Sequence, residues 1–321
     1  MLLLFELSGE HPTLPCAELE CVGRVVRCQP QVAVAECEFP DKTRRLALTH
    51  TVMEYLGETE ASKDAIVAFL TGRPIIASDP FSVRVKKLQG GPATLSQLDL
   101  ERTIGSLIEG KVSLDHPEIE FRVLLSGERC YLGQVLHSID RGGFEYRNPL
   151  RRPFFHPGVM LPRTARAMVN LSLVQERERI LDPFCGTGGI LLEAQIIGAE
   201  IIGSDADELM VRGCRQNIPH ADVVIDDATH LPFQEGCVHA VVTDLPYGQS
   251  VGIHAATLPK LYTGALNEIH RVLQSGRRAV VVTHRDIRTL VEGFSLVQYY
   301  EQRVHRSLTR RIMVLEKKRE E

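Results

Sequence analysis

From residue 179 onward the chain repeats one unit: a short apolar run, a loop, then a stretch with helical spacing. "RILDPF" leads to "GGILLEAQIIG", and "EIIGSDA" leads to "DELMVRGCRQNI". "ADVVIDDA" and "CVHAVVTDLPYG" follow, then "LPKLYTGALNEIHRVL" and "RRAVVVTH". Strands alternating with helices predict a doubly wound, mostly parallel α/β sheet, because each helix carries the chain back to the start of the next strand. The last two runs, "FSLVQYYEQRVH" and "TRRIMVLEK", are joined only near "RSL". That connection is too short for a crossover, so this pair is predicted to be antiparallel.

Acids stand where these strands end. "DPFCGTGG" occupies the first strand-to-helix turn, where glycines let backbone approach a ligand and a helix N-terminus follows. It is neither the dinucleotide G-x-G-x-x-G fingerprint nor a Walker A loop. Asp182 sets a carboxylate beside Gly186, Thr187 and Gly188; it would repel a pyrophosphate and suits a cationic amino group. Asp205, with Ala206, ends the second strand, where an acid in such folds holds ribose hydroxyls. Asp227, with the Ala228 amide, ends the third and is placed for an adenine amino group. Three acids at successive strand ends converge on one crevice. Together with the antiparallel ending, they are typical of S-adenosylmethionine-dependent methyltransferases.

The fourth strand ends in "TDLPYG". Asp, Pro and Gly are turn residues, and the stretch alone reads as a turn. At this position, after three cofactor acids, it resembles the (Asp/Asn)-Pro-Pro-(Tyr/Phe) motif of amino-methyltransferases. An exocyclic amine is a poor nucleophile, because its lone pair is conjugated with the ring. Asp244 can accept one N–H and the Leu245 carbonyl the other, while Pro246 stiffens the loop and Tyr247 stacks on an unstacked base.

The N-terminal half has another texture. "LLLFELSG", "QVAVAECEF", "FSVRVKKL", "IEFRVLLSG" and "RCYLGQVLHSI" read as strands. "TLPCAELECVG" (capped by Thr13), "KTRRLALTHTVMEYLGE", "KDAIVAFLTG" and "SQLDLERTIGSLIEG" (from Ser96) read as helices. This is an α+β pattern, with a subdivision expected near residue 80 and a junction in the Gly-, Pro- and Arg-rich segment after residue 140. Net charge is −4 overall but uneven: +5 over residues 141–168, −9 over 169–270 and +6 over 271–321. Two basic zones flanking an acidic one suit a polyanion gripped on both sides of the chemistry, or charges segregated on solvated faces. The eight cysteines form no Cys-x-x-Cys, no zinc pattern and no radical iron–sulfur pattern, so free or buried thiols are expected and no metal. Cys185 reads as a small packing residue. "MLLLFEL" is too short for a membrane span or signal peptide, and a cytoplasmic protein is expected.

"RRPFFHPGVMLPRTARAMVNLS", "DPFCGTGG", "TDLPYG" and "HRSLTRRIMVLEK" together resemble the archaeal tRNA guanine-10 N2-methyltransferases. "FSVRVKKLQGG", "LERTIGSLIEG" and "FRVLLSGERCYLGQVLHSIDRGGFEYRNPLRRPFFHPG" resemble their THUMP domain and its exit linker. The resemblance implies a Rossmann-like class I methyltransferase domain preceded by an α+β ferredoxin-like/THUMP domain. The implied boundaries are a ferredoxin-like region at 1–80, a THUMP core at 81–145, a linker at 146–160 and the methyltransferase domain at 161–321. It implies tRNA as partner and S-adenosylmethionine as cofactor, with N2-methylguanosine and then N2,N2-dimethylguanosine as product. Asp244, Pro246 and Tyr247 match the catalytic motif, and Leu245 stands where the family usually has proline. Asp182, Gly186, Gly188, Asp205 and Asp227 match the cofactor loops, and His156 and Pro157 belong to the segment that caps the methionine end. Arg151, Arg152, Arg306 and Arg310 either hold RNA phosphates or face solvent. The same motifs allow guanine 6 of tRNA or a ribosomal RNA guanine as target. An RNA-binding protein with an inert methyltransferase fold is the reading from a different class.

Overall fold

The computed structural model describes residues 1–248, 258–306 and 308–319, which form two compact units, Met1–Ile139 and Asp140–Glu321. Ser307, within the "RSL" connection, lies outside the described residues.

The first unit is one mixed sheet with its helices. Its strands are β1 (Leu2–Leu7), β2 (Arg24–Gln29), β3 (Val32–Glu36), β4 (Thr49–Glu60), β5 (Phe81–Lys87), β6 (Ile119–Ser126) and β7 (Arg129–Ser138). They lie in the order β2-β3-β1-β4-β7-β6-β5. Helices α1 (Leu14–Glu18), α2 (Lys63–Gly72) and α3 (Gln97–Leu107) complete it. Ser62 and Ser96 cap α2 and α3, each hydroxyl accepting a backbone N–H three residues on, at 3.2 and 3.3 Å. Ile66, Leu70, Leu100 and Ile104 of these helices bury against Val83, Val85, Phe121 and Val123 of the sheet. β4 pairs with β1 on one side and β7 on the other, so strands before and after residue 80 share one sheet.

Three expectations are corrected here. The segment 42–58, expected as a helix, forms a 3₁₀ turn (Pro40–Arg45) and then β4. β4 is interior to the sheet, with Thr49, Thr51, Val52 and Met53 all buried, so its apolar residues lack the alternation that marks a half-buried strand. The Thr13 side chain does not cap α1; His11 Nδ1 accepts the Thr13 and Leu14 N–H groups instead, at 3.2 and 3.0 Å. Cys16 and Cys28, expected as free thiols, are paired in a disulfide, their Cα atoms 6.4 Å apart, within reach of such a bridge. Cys21, Cys37, Cys130, Cys185, Cys214 and Cys237 are free. Strand β2 went unread because it is an exposed edge strand with little apolar signal.

The second unit opens with α4 (Arg141–Tyr146), capped by Asp140, and a 3₁₀ turn at Pro149–Arg151. There follow α5 (Pro162–Leu171), β8 (Arg179–Asp182), α6 (Gly189–Ile196), β9 (Glu200–Asp205), α7 (Glu208–Asn217), β10 (Asp222–Ile225) and β11 (Val238–Asp244). The chain ends with α8 (Leu258–Val272), β12 (Leu273–Thr283), β13 (Phe294–His305) and β14 (Leu308–Lys317). Strand order is β10-β9-β8-β11-β12-β14-β13. β8 to β12 are parallel, and β14 inserts antiparallel between β12 and β13, as expected for the final pair. From β8 the chain first builds outward through β9 and β10 and then in the other direction through β11 and β12. The strand ends of β8 and β11 therefore flank the switch point, where open α/β sheets bind ligands. Tyr262, Leu266 and Ile269 of α8 pack on Leu181, Val241, Val281 and Met313, closing one face of the sheet. Among the described residues no helix is long and apolar enough to cross a membrane, and no cluster of metal-ligating side chains is found.

Candidate active site

β8 delivers Asp182 to the switch point with only 1% of its surface exposed. Its Oδ1 accepts the Thr243 hydroxyl at 2.7 Å and the Phe184 N–H at 3.2 Å. Burial nevertheless pushes the carboxyl up to about 7, because these bonds only partly replace lost hydration. The turn that follows uses two glycines differently. Gly186 (φ 50°) borders open space where a side chain would stand, whereas Gly188 (φ 82°) packs so tightly that a Cβ would meet Cys214 Sγ at 2.6 Å. Cys185 is buried, in keeping with a packing role.

Asp205, at the end of β9, holds this turn in shape. Its Oδ2 accepts the Gly186 N–H at 2.9 Å and its Oδ1 the Asp207 N–H at 3.0 Å. Burial raises its pKa, and those two N–H bonds oppose the rise. Past β10, Asp227 is exposed and accepts the Thr229 N–H and hydroxyl at 2.9 and 2.8 Å, which hold its carboxyl below the usual range. Ala206 is exposed and Ala228 is buried. Asp226, which sequence reasoning passed over, has a buried Oδ2 without a hydrogen-bond partner among the described residues.

Asp244 ends β11, one residue after the Thr243 that bonds Asp182. Tyr247 donates its hydroxyl to Asp244 Oδ1 at 2.9 Å, and its ring lies 4.7 Å from that of His284 at the end of β12. Burial pushes the Asp244 carboxyl up to about 6, against the opposing charge of Arg310 and the Tyr247 hydrogen bond. Leu245 is 1% exposed, packs in the α8-facing core, and donates its N–H to the Val282 carbonyl at 2.9 Å. The Pro246 carbonyl accepts the Tyr262 hydroxyl at 2.6 Å. The loop is thus held by a strand hydrogen bond, a core side chain and a tyrosine from α8.

The segment between α4 and α5 is tied to the glycine turn through α7. Asn217 accepts the Phe154 N–H at 2.9 Å and donates to the carbonyls of Phe154 and Thr187 at 3.0 and 2.9 Å. His156 Nδ1 lies 2.9 Å from the Pro157 carbonyl, and Pro157 is exposed. Nearby, Glu193 of α6 is fully buried and bridges Arg147 and Arg166 at 2.7 and 2.8 Å, over the Phe144 ring. Among the arginine candidates, Arg151 and Arg306 are exposed. Arg152 donates to the Arg147 carbonyl at 3.0 Å, and Arg310 is 9% exposed, its charge opposing the rise of the Asp244 carboxyl. Asn217, Thr243, Tyr262 and His284 carried no sequence signal of a role, because each reaches the site from a different element.

Sheet order, glycine turn and strand-end acids define a Rossmann-like methyltransferase. Residues 149–312 match the family described as UPF0020, RMKL-like methyltransferase domain. The chain belongs to the tRNA (guanine(10)-N2)-dimethyltransferase family. It is 37% identical to the protein of that name from Methanothermobacter thermautotrophicus, over 99% of this chain and 100% of the relative. It is 31% identical to that from Methanocaldococcus jannaschii, over 98% and 99%. The crystal structure of TrmN from Thermus thermophilus shares the fold, with a TM-score of 0.55 and 23% identity over 99% of this chain and 100% of that one.

Proposed function

We propose that the protein transfers a methyl group from S-adenosylmethionine to the exocyclic N2 of guanine 10 in tRNA, giving N2-methylguanosine and then N2,N2-dimethylguanosine, in the cytoplasm. One observation carries the reading. The Asp244–Leu245–Pro246–Tyr247 bracket adjoins the strand end that bears Asp182, and the two are joined by the Thr243–Asp182 hydrogen bond.

The residues present fit the cofactor. Gly186 leaves a cradle open above the turn, and Asp182 is a buried carboxylate that a cationic amino group would return to its ionised form. Asp205 and Asp227 would hold ribose hydroxyls and the adenine amino group, and His156 and Pro157 would cap the methionine end. When bound, S-adenosylmethionine supplies an electrophilic methyl group on a sulfonium.

The chain's own residues prepare the amine. Asp244 Oδ2 and the Leu245 carbonyl accept its two N–H groups, turning the lone pair out of the ring plane toward the methyl. Tyr247, its hydroxyl committed to Asp244 Oδ1, presents its ring to the base. As the N–C bond forms and the methyl–sulfur bond breaks, with neutral S-adenosylhomocysteine as the leaving group, the nitrogen loses a proton, and the ionised Asp244 accepts it. Positioning supplies the rest of the acceleration. Residues 81–145 are read as the THUMP core that holds tRNA, with 1–80 ferredoxin-like and 146–160 the linker; the exposed Arg151 and Arg306 suit phosphate contacts.

The test is incubation with unmodified tRNA transcript and methyl-labelled S-adenosylmethionine, followed by nucleoside analysis. Methylated guanosine that disappears when guanine 10 is replaced is expected. Methylation that persists would redirect the reading to guanine 6 or another RNA guanine, and label on adenosine alone would sink it. An inert methyltransferase fold predicts that Asp244→Ala changes nothing; the reading here predicts loss of nearly all activity with RNA affinity kept.

A further inference from the structure

Arg151 and Arg152 are neighbours in one basic stretch and have different fates. Arg151 is exposed, its guanidinium 5.8 Å over the Tyr146 ring. Arg152 is turned inward. Its Nε donates to the Arg147 carbonyl at 3.0 Å, while its Nη1 and Nη2 are buried without a hydrogen-bond partner among the described residues. Glu193, the buried acid of α6, is engaged elsewhere: Arg147 bonds its two oxygens at 2.7 and 3.3 Å, and Arg166 lies 2.8 Å from Oε2. Burial works against the charge of Arg152, and attraction to Glu193 offsets this only in part.

The guanidinium lies against the first turn of α6. A Cβ built on Gly189 would stand 3.3 Å from Arg152 Nη1, 3.3 Å from Val159 Cγ1 and 3.8 Å from the Met160 carbonyl oxygen. Gly188 is the N-cap of α6, and no side chain caps that helix. The positive end of a helix dipole therefore stands beside a guanidinium with two idle donors. Like charges brought together in this way oppose each other unless an anion is received there. The turn that ends on Gly189 begins at Asp182, and Gly186 within it borders open space.

We propose that Arg152 is a cofactor-binding residue that receives the carboxylate of the methionine part of S-adenosylmethionine, while Asp182 receives its ammonium. The inference rests on the cofactor reading proposed above. An α-amino acid carries one cation and one anion on the same carbon, so a site built for it needs opposite charges close together. Asp182 starts the glycine turn, and Arg152 stands at its end. A guanidinium offers a carboxylate two parallel N–H donors, which matches the two idle Nη atoms. Gly189 carries no side chain to stand between them and a ligand. RNA phosphate is the competing anion for an arginine in this stretch. RNA backbone is gripped by side chains that reach into solvent, which describes Arg151 and not Arg152. A guanidinium buried for stability alone would have its donors paired, and here only Nε is.

Calorimetry of the full-length protein with two probes tests this: S-adenosylhomocysteine and its decarboxylated form. Wild type should bind the first at least about tenfold more tightly. Arg152→Gln should bind S-adenosylhomocysteine about thirtyfold more weakly and the decarboxylated probe within about twofold of wild type, the coupling that a double-mutant cycle reads. Arg152→Lys keeps the charge without the paired donors and should fall in between. Affinity for tRNA, measured by filter binding, should stay within about twofold of wild type. Equal losses for both probes in Arg152→Gln would make the residue structural and overturn the inference. Unchanged binding of both probes with weakened tRNA binding would assign it to phosphate and overturn the inference as well. Wild-type protein that binds S-adenosylhomocysteine yet leaves tRNA unmethylated would sink the proposed reaction, while the two-probe comparison still decides the role of Arg152. Wild-type protein that binds neither probe would overturn both. If Arg152→Gln does not fold, the same selectivity in Arg152→Lys decides.

Discussion

The Thr243 hydroxyl donates a 2.7 Å hydrogen bond to the Asp182 carboxylate, linking the ends of β8 and β11. Thr243 immediately precedes Asp244, so one side chain connects the acid proposed to hold the cofactor to the loop proposed to receive the amine. Thr243→Val keeps the shape and leaves Asp182 with one donor fewer. We expect about tenfold weaker binding of S-adenosylhomocysteine by calorimetry, and near-normal binding in Thr243→Ser.

The raised pKa of Asp182, about 7, predicts a pH dependence for the cofactor binding proposed above. Below that value the carboxyl is neutral and loses its attraction for a cationic amine; above it the attraction is present. Affinity should therefore climb between about pH 6 and about pH 8. Asp182→Asn should bind more weakly and flatten the profile, as measured by equilibrium dialysis.

Tyr247 separates into a ring and a hydroxyl. Tyr247→Phe keeps the stacking surface and the His284 contact but loses the bond to Asp244, so we expect about tenfold lower kcat. Tyr247→Ala loses the base platform as well, and about a hundredfold loss is expected. Single-turnover rates on tRNA transcript would distinguish the two.

Leu245, where the family usually has proline, has its own supports. Its N–H bonds the Val282 carbonyl and its side chain is in the core. Leu245→Pro removes the donor and shrinks the buried side chain, which should cost about 2–4 kcal/mol in urea unfolding. The methylated nucleotide, mapped by mass spectrometry, should not change, because the carbonyl that would receive the amine remains.

Glu193→Ala would leave Arg147 and Arg166 facing each other without their shared carboxylate. Removing one member of a buried ion cluster should destabilise the second unit by about 3–5 kcal/mol, seen as a lowered unfolding midpoint.

Much of the second unit was legible from sequence because its parallel strands are short apolar runs set off by helices of clear period. Asp182, Asp205 and Asp244 could be read because each closes one of those strands. The groups that orient them could not. Tyr262 and His284 lie 16 or more residues from the groups they contact, and only the packing of α8 and the pairing of β12 with β11 bring them there. In the first unit, β4 misled for the opposite reason: buried on both sides, it had no alternation to betray it.

That same strand bears on how the chain could be taken apart. β4 pairs with β7 from Thr51–Ser138 to Glu60–Arg129. A fragment beginning at Phe81 would keep β5, β6 and β7 yet strip the ten-residue β7 of its neighbour, leaving a long row of free backbone donors and acceptors. Such a piece would tend to recruit strands from other molecules and precipitate. The region read as the tRNA-holding part is therefore not a detachable module but the far half of a sheet completed by the chain's first sixty residues.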